Sequence, residues 1–190
     1  MPNAILDPTG RARSGEGDKP SLEGLAPRRT DLKGARIGLL DNTKHNAMLF
    51  LQEVGRLLVS EHGAAEVGIV ETKRSFSVPV DQDIVDRYKT SCDVVITGVG
   101  DCGSCSAAAV ADGINFERAG LPAAVVLTDA FVVTGKTMAN MQGAPDYEWI
   151  VTQHPMAILE PDQVAARAKQ LLPEIVATLT EQASTSGGDR

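Results

Sequence analysis

Short, nearly continuous apolar runs recur along the chain, each followed by a stretch with helical spacing. Residues 35–40, 66–70, 94–99 and 122–127 read as strands, and 149–152 as a weaker fifth. Residues 46–60 carry Ala47, Phe50, Leu51, Val54, Leu57 and Leu58 at three- and four-residue steps, with Gln52, Glu53 and Arg56 on the other side. Residues 81–90, 106–119 and 134–141 read as further helices. Residues 161–179 read as a long last one, with Asp162 near its positive end and Pro173 as a candidate kink. Strands without polar alternation are buried on both faces, which demands a parallel sheet covered by helices on each side. The pattern therefore predicts an α/β three-layer sandwich around a mainly parallel, about five-stranded, flavodoxin- or Rossmann-like sheet.

A chain of 190 residues fits one such domain with loose ends. Residues 1–33, broken by Pro2, Pro8, Pro20 and Pro27, read as a flexible arm. Residues 34–181 read as the single α/β domain, and 182–190 as a disordered tail. Aromatic residues make up only 4%, so Val, Ile, Leu and Ala must fill the core. A net charge of −7 argues against general nucleic-acid binding, which needs a basic footprint. No run resembles a signal peptide or a bilayer span, so the expected setting is the cytoplasm, with no membrane partner. Three cysteines are too few for a disulfide framework. In a reducing compartment, a Cys-x-x-Cys pair reads as redox, catalytic or metal-binding.

Ligands of open parallel sheets bind beyond the carboxyl ends of the strands, so the loops there are where chemistry should collect. They are Asp41-Asn-Thr-Lys-His-Asn46, Glu71-Thr-Lys-Arg74, Gly100-Asp-Cys-Gly-Ser-Cys105, Thr128-Asp-Ala-Phe131 and Gln153-His-Pro155. Cys102 and Cys105 lie where the third strand hands over to its helix. A helix N-terminus stabilises a thiolate, and the spacing brings the second thiol close enough to resolve a mixed disulfide or sulfenic acid. Asp101 acts the other way, since a nearby carboxylate raises a thiol's pKa unless a cation offsets it. Around the thiols, Asp41, Asn42, Lys44, Asp101, Ser104, Asp129 and His154 are candidates for substrate binding or proton transfer. Lys44, Lys73 and Arg74 hint at a small anionic ligand. Blander readings stand beside these. Asn46 could cap the first helix, Asp129 could be a cap, and Lys73 and Arg74 could be solvated. Cys92, before the third strand, reads as structural. A structural zinc lacks a second Cys-x-x-Cys, although a metal held by Cys102, Cys105 and His45 or His154 is an alternative.

The run Val-Val-Ile-Thr-Gly-Val-Gly-Asp-Cys102-Gly-Ser-Cys105-Ser, preceded by Arg36-Ile-Gly-Leu-Leu-Asp-Asn-Thr-Lys44, resembles the UGSC family over about residues 32–179. That family is named for selenocysteine-Gly-Ser-Cys, and Cys102 stands where some members carry selenocysteine. It looks distantly similar to the selenoprotein B subunits of glycine, sarcosine and betaine reductases, where a selenol or thiol displaces a leaving group. The resemblance implies Cys102 as nucleophile and Cys105 as resolving thiol.

The expectation is a thiol-dependent oxidoreductase or transferase acting on a small molecule. It requires no resident cofactor beyond an external thiol or thioredoxin-type reductant. A homo-oligomer or a companion subunit is the expected assembly. Two alternatives stand: a cofactor-independent isomerase or racemase, which uses thiols for proton transfer, and a metal-binding or accessory subunit of a larger complex.

Overall fold

A computed structural model describes residues 24–181. The expected tail at 182–190 and most of the expected arm lie outside the described residues.

The strands are β1 (Arg36–Asp41), β2 (Glu66–Thr72), β3 (Val94–Gly100), β4 (Ala123–Thr128) and β5 (Ile150–Thr152). The helices are α1 (Ala47–His62), α2 (Gln82–Ser91), α3 (Gly103–Arg118), α4 (Val132–Met141) and α5 (Pro161–Leu179). All five strands pair in parallel, in the order β2-β1-β3-β4-β5. The predicted three-layer α/β sandwich is therefore the observed one, and the order is that of flavodoxin-like sheets.

Burial explains the reading. Every residue of β3 and β4 is buried, as unbroken apolar runs require. Residues of β2 alternate between exposed and half-buried because β2 is an edge strand. Successive strand side chains face opposite ways, so one face receives Ile37, Leu39, Ile96 and Val126 beneath α1 and α5. The other face receives Leu40 and Val95 beneath α2, and Val125 and Leu127 beneath α3 and α4. Helix α5 continues through Pro173 rather than ending there.

Residues 24–33 correct the expectation of a flexible arm up to residue 33. They form a strap across the ends of α3 and α5. Ala26 and Leu32 are buried. The Arg28 guanidinium donates to both carboxylate oxygens of Glu117 at 2.9 Å each, and its Nε donates to the Thr178 carbonyl at 2.8 Å. Arg29 pairs with Thr180 in a parallel bridge. Proline and glycine discourage helix and strand here, but they do not prevent packing. Glu117 is 3% exposed, and the N–H groups of Ala26 and Ala123 complete its shell at 2.7 and 2.8 Å. A carboxylate buried without those donors would cost several kcal/mol.

No helix among the described residues is long and apolar enough to cross a membrane.

Candidate active site

The sheet order places β1 beside β3, and the chain leaves these two strands toward opposite faces, into α1 and α3. In folds of this kind, ligands bind at such a switch point. Asn42 ties the two strands together there. Its backbone N–H donates to the Gly98 carbonyl at 3.4 Å, its Nδ2 to the Val99 carbonyl at 2.9 Å, and its Oδ1 accepts the Lys44 N–H at 3.2 Å. The Gly98–Val99 peptide is cis, and Gly98 has φ +150°. A Cβ at Gly98 would lie 2.9 Å from the Val126 carbonyl oxygen, so a side chain has no room there. At Gly100 a Cβ would overlap Leu127 and sit 2.8 Å from Ser106 Oγ, so glycine lets α3 start directly against the sheet.

Cys102 is the N-cap of α3, in extended conformation, and its Sγ accepts the Cys105 N–H at 3.4 Å. The helix starts at Gly103, earlier than the expected residue 106, because Gly-Ser-Cys carries no apolar period to announce a first turn. The two sulfurs lie within bonding distance, with Cα atoms 5.4 Å apart. Their surroundings differ. Cys102 is half-buried, whereas Cys105 is fully buried and its Sγ accepts the Asp101 N–H at 3.2 Å. Ser104 is exposed, its Oγ 3.8 Å from Cys102 Sγ. Cys102 Sγ thus sits at the positive end of α3, facing helix N–H groups, whereas Cys105 Sγ also donates to the Cys102 carbonyl at 3.2 Å. Cys92 is different in kind. It is buried beside Gly38, its thiol donates to the Tyr88 carbonyl at 3.2 Å, and burial pushes that thiol up to about 12. It cannot act as a nucleophile near neutral pH.

Asp101 precedes the thiols, and its carboxylate is turned toward the loop after β5. It accepts the Met156 N–H at 3.1 Å and the Ala157 N–H at 2.9 Å, and lies 2.9 Å from His154 Nδ1. Thr128 Oγ1 stands 3.2 Å from the same ring nitrogen. Asp129 Oδ1 accepts the His154 N–H at 3.0 Å, so it holds the β5 loop and makes no side-chain helix cap. The His154–Pro155 peptide is cis, and Phe131 packs edge-on against the imidazole. Thr128 escaped sequence reasoning because a threonine closing a strand carries no signal of its own.

The loop after β1 grips the same segment. His45 Nδ1 lies 2.6 Å from the Ala157 carbonyl oxygen, and Asn46 Nδ2 donates to the Met156 and Leu159 carbonyls at 3.0 and 2.9 Å. Asn46 is the N-cap of α1, as the capping reading has it, but its side chain makes no cap bond, and its backbone is left-handed, with φ +68°. Asp41 is buried at the end of β1, and its Oδ1 has no hydrogen-bond partner. Burial pushes its carboxyl above the ordinary range. Lys44 is half-buried, with its Nζ 5.8 Å from the centre of the Phe76 ring. Lys73 departs from the anion-binding hint. Its Nζ is buried in an ion pair with Asp112 at 2.5 Å, which also fixes the Val80 N–H. Arg74 is exposed.

The structure thus brings Asp101, Thr128, Asp129 and His154 into one hydrogen-bonded cluster, to which Cys105 is joined through the Asp101 N–H. Asn42 ties β1 to β3, and Ser104 sits beside Cys102. Asp41 and Lys44 share the edge with no hydrogen bond to the thiols. Among the described residues, no three His, Cys, Asp or Glu side chains are gathered in a way that would hold a metal ion.

Comparison with curated proteins and with solved structures gives no match. A family model does match, over residues 4–181, a span that takes in every strand and helix described above, and by that match the chain belongs to the UGSC family.

Proposed function

We propose that this protein is a thiol-dependent oxidoreductase or transferase. Cys102 is the nucleophile toward a small electrophile, and Cys105 is the resolving thiol. One observation carries the reading: a half-buried Cys102 caps a helix directly over a fully buried Cys105, with the sulfurs within bonding distance. An incoming molecule meets Cys102 first, while Cys105 is reachable from Cys102.

The steps balance as follows. The Cys102 thiolate attacks an atom E of a substrate E–X; the S–E bond forms and X departs with the bonding pair. The Cys105 thiolate then attacks the Cys102 sulfur. The S–S bond forms, and E leaves with the S–E pair and takes a proton. Two thiols have become a disulfide, and E–X has been reduced to E–H and H–X. An external dithiol of the thioredoxin type, or a small thiol, restores the pair in a reducing cytoplasm. Where E stays on a second acceptor instead, the same first step gives transfer. The half-buried Lys44 supports an anionic substrate. The resemblance read from the sequence to selenoprotein B subunits is in keeping with a displacement at Cys102 and with work beside a companion subunit or a second copy.

A racemase-like reading fits less well. Proton transfer on two faces of one carbon needs two thiols across a ligand, and here both sit on one helical turn.

The test is intact-mass labelling of the reduced protein with iodoacetamide at neutral pH. One label is expected, on Cys102, and Cys102→Ser removes it. With a disulfide probe such as oxidised mercaptoethanol, Cys105→Ser is expected to trap a stable Cys102 adduct, while the parent protein releases it. Equal labelling of Cys102→Ser and the parent would overturn the proposal.

A further inference from the structure

The imidazole of His154 has its Nδ1 between two oxygens, one of them a carboxylate oxygen that can only accept from it. Thr128 Oγ1 already donates its hydrogen to the Gly100 carbonyl at 3.1 Å, which leaves a lone pair toward Nδ1 at 3.2 Å. Asp101 Oδ1 lies 2.9 Å away, on a carboxylate held in place by the Met156 and Ala157 N–H groups. Two acceptors on one nitrogen require that nitrogen to carry the proton. The neutral ring is then the Nδ1–H tautomer, with a free lone pair on Nε2. The Asp101 side chain is 2% exposed and that of His154 is 37% exposed, so an anchored base has an accessible reactive edge.

We propose that His154 is the proton-transfer residue of the Cys102 and Cys105 site, with Asp101 and Thr128 as positioning residues that fix its tautomer. The proposal rests on the thiol reading above and deepens it. Nε2 takes up the proton of the Cys102 thiol, through an intervening water, which leaves the thiolate that attacks E in the step above. The S–E bond forms, and X leaves with the E–X pair. The Nε2 proton then passes to X, so the imidazole returns to neutral and H–X departs. The connection to the thiols is short in sequence and in bonding. Asp101 is the residue before Cys102, and its N–H donates to Cys105 Sγ. This is the logic by which an oriented imidazole activates a weak nucleophile. Asp101, from the loop after β3, faces the ring itself, while Asp129 after β4, His45 after β1 and Arg167 on α5 hold residues 152–157 on either side of it. Arg167 donates to Thr152 Oγ1 and to the Gln153 carbonyl.

Two readouts on the full chain test this without a known substrate. The first is the nitrogen-15 spectrum of the imidazoles, with His154 assigned by His154→Gln. The Nδ1–H tautomer is expected, and Thr128→Val is expected to weaken that preference while leaving Asp101 in place. The second is the pH profile of iodoacetamide labelling at Cys102 in the reduced protein. The parent is expected to show an inflection that coincides with the His154 titration. In His154→Gln the inflection should move toward the free-thiol value of about 8.5, with labelling at neutral pH slowed about tenfold. An Nε2–H tautomer, or an unchanged profile in His154→Gln, overturns the proposal. A parent Cys102 that does not label at any pH overturns the thiol reading instead, and the tautomer then stands as a separate result.

Discussion

Two buried carboxylates, at opposite ends of α3, are treated in opposite ways. Glu117, near the helix C-terminus, is surrounded by fixed donors: two backbone N–H groups and a bidentate guanidinium. Nothing in that shell can exchange a proton near neutral pH. Asp101, just before the N-terminus, shares its carboxylate between backbone N–H groups and a titratable imidazole. At the same end of the sheet, Asp41 Oδ1 is buried without a hydrogen bond. One end of the fold spends its polar groups on closing the structure. The other keeps groups that can still change state, as the proposed thiol chemistry requires.

The sharpest way to break this contrast is Glu117→Ala. It leaves the Arg28 guanidinium without its partner and is expected to lower unfolding free energy by about 3–5 kcal/mol, measured by urea titration. Cys102 labelling of the folded protein should be unchanged. If labelling fell in step with stability, the two ends would not be separable. A smaller effect is expected at Asp93, which lies at the same end as Glu117. There the Arg36 guanidinium holds the carboxyl below its usual range. A depressed acid contributes stability above its unfolded pKa of about 3.9, and the contribution is lost as pH falls through the lower folded value. Asp93→Asn should therefore lower the melting temperature at neutral pH, several-fold less than Glu117→Ala because the pair is partly exposed. The two melting curves should converge in acid. Asp41 sets the opposite sign. Its carboxyl is pushed up by burial, so its stabilising contribution falls as pH rises through the folded value. Asp41→Asn is expected to leave neutral-pH stability unchanged or slightly raised. A large loss would show that Asp41 belongs with the structural carboxylates.

The layers of the fold were legible because β3 and β4 are buried throughout and α1 keeps a strict three- and four-residue period. Strand order was not, since pairing is decided between strands and leaves no mark within one. The thiol turn announced itself by residue type, and its place at the carboxyl end of β3 followed from alternation alone. What Asp101, Asp129 and Asn46 do was hidden. Each satisfies backbone groups of residues 154–159, and contacts some 25 to 110 residues away along the chain have no local signature. The strap is illegible for a related reason: Glu117, far along the sequence, orders a segment whose own composition predicts no structure.

The pairing of Arg29 with Thr180 brings the entry and exit of the folded chain side by side. Both lie at the end of the sheet away from the thiols, about 24 Å off along α3 at 1.5 Å per residue. In a chain cut back to this paired segment, residues 29 and 180 could be joined by a short linker, and the join would stand at the far end of the sheet from Cys102.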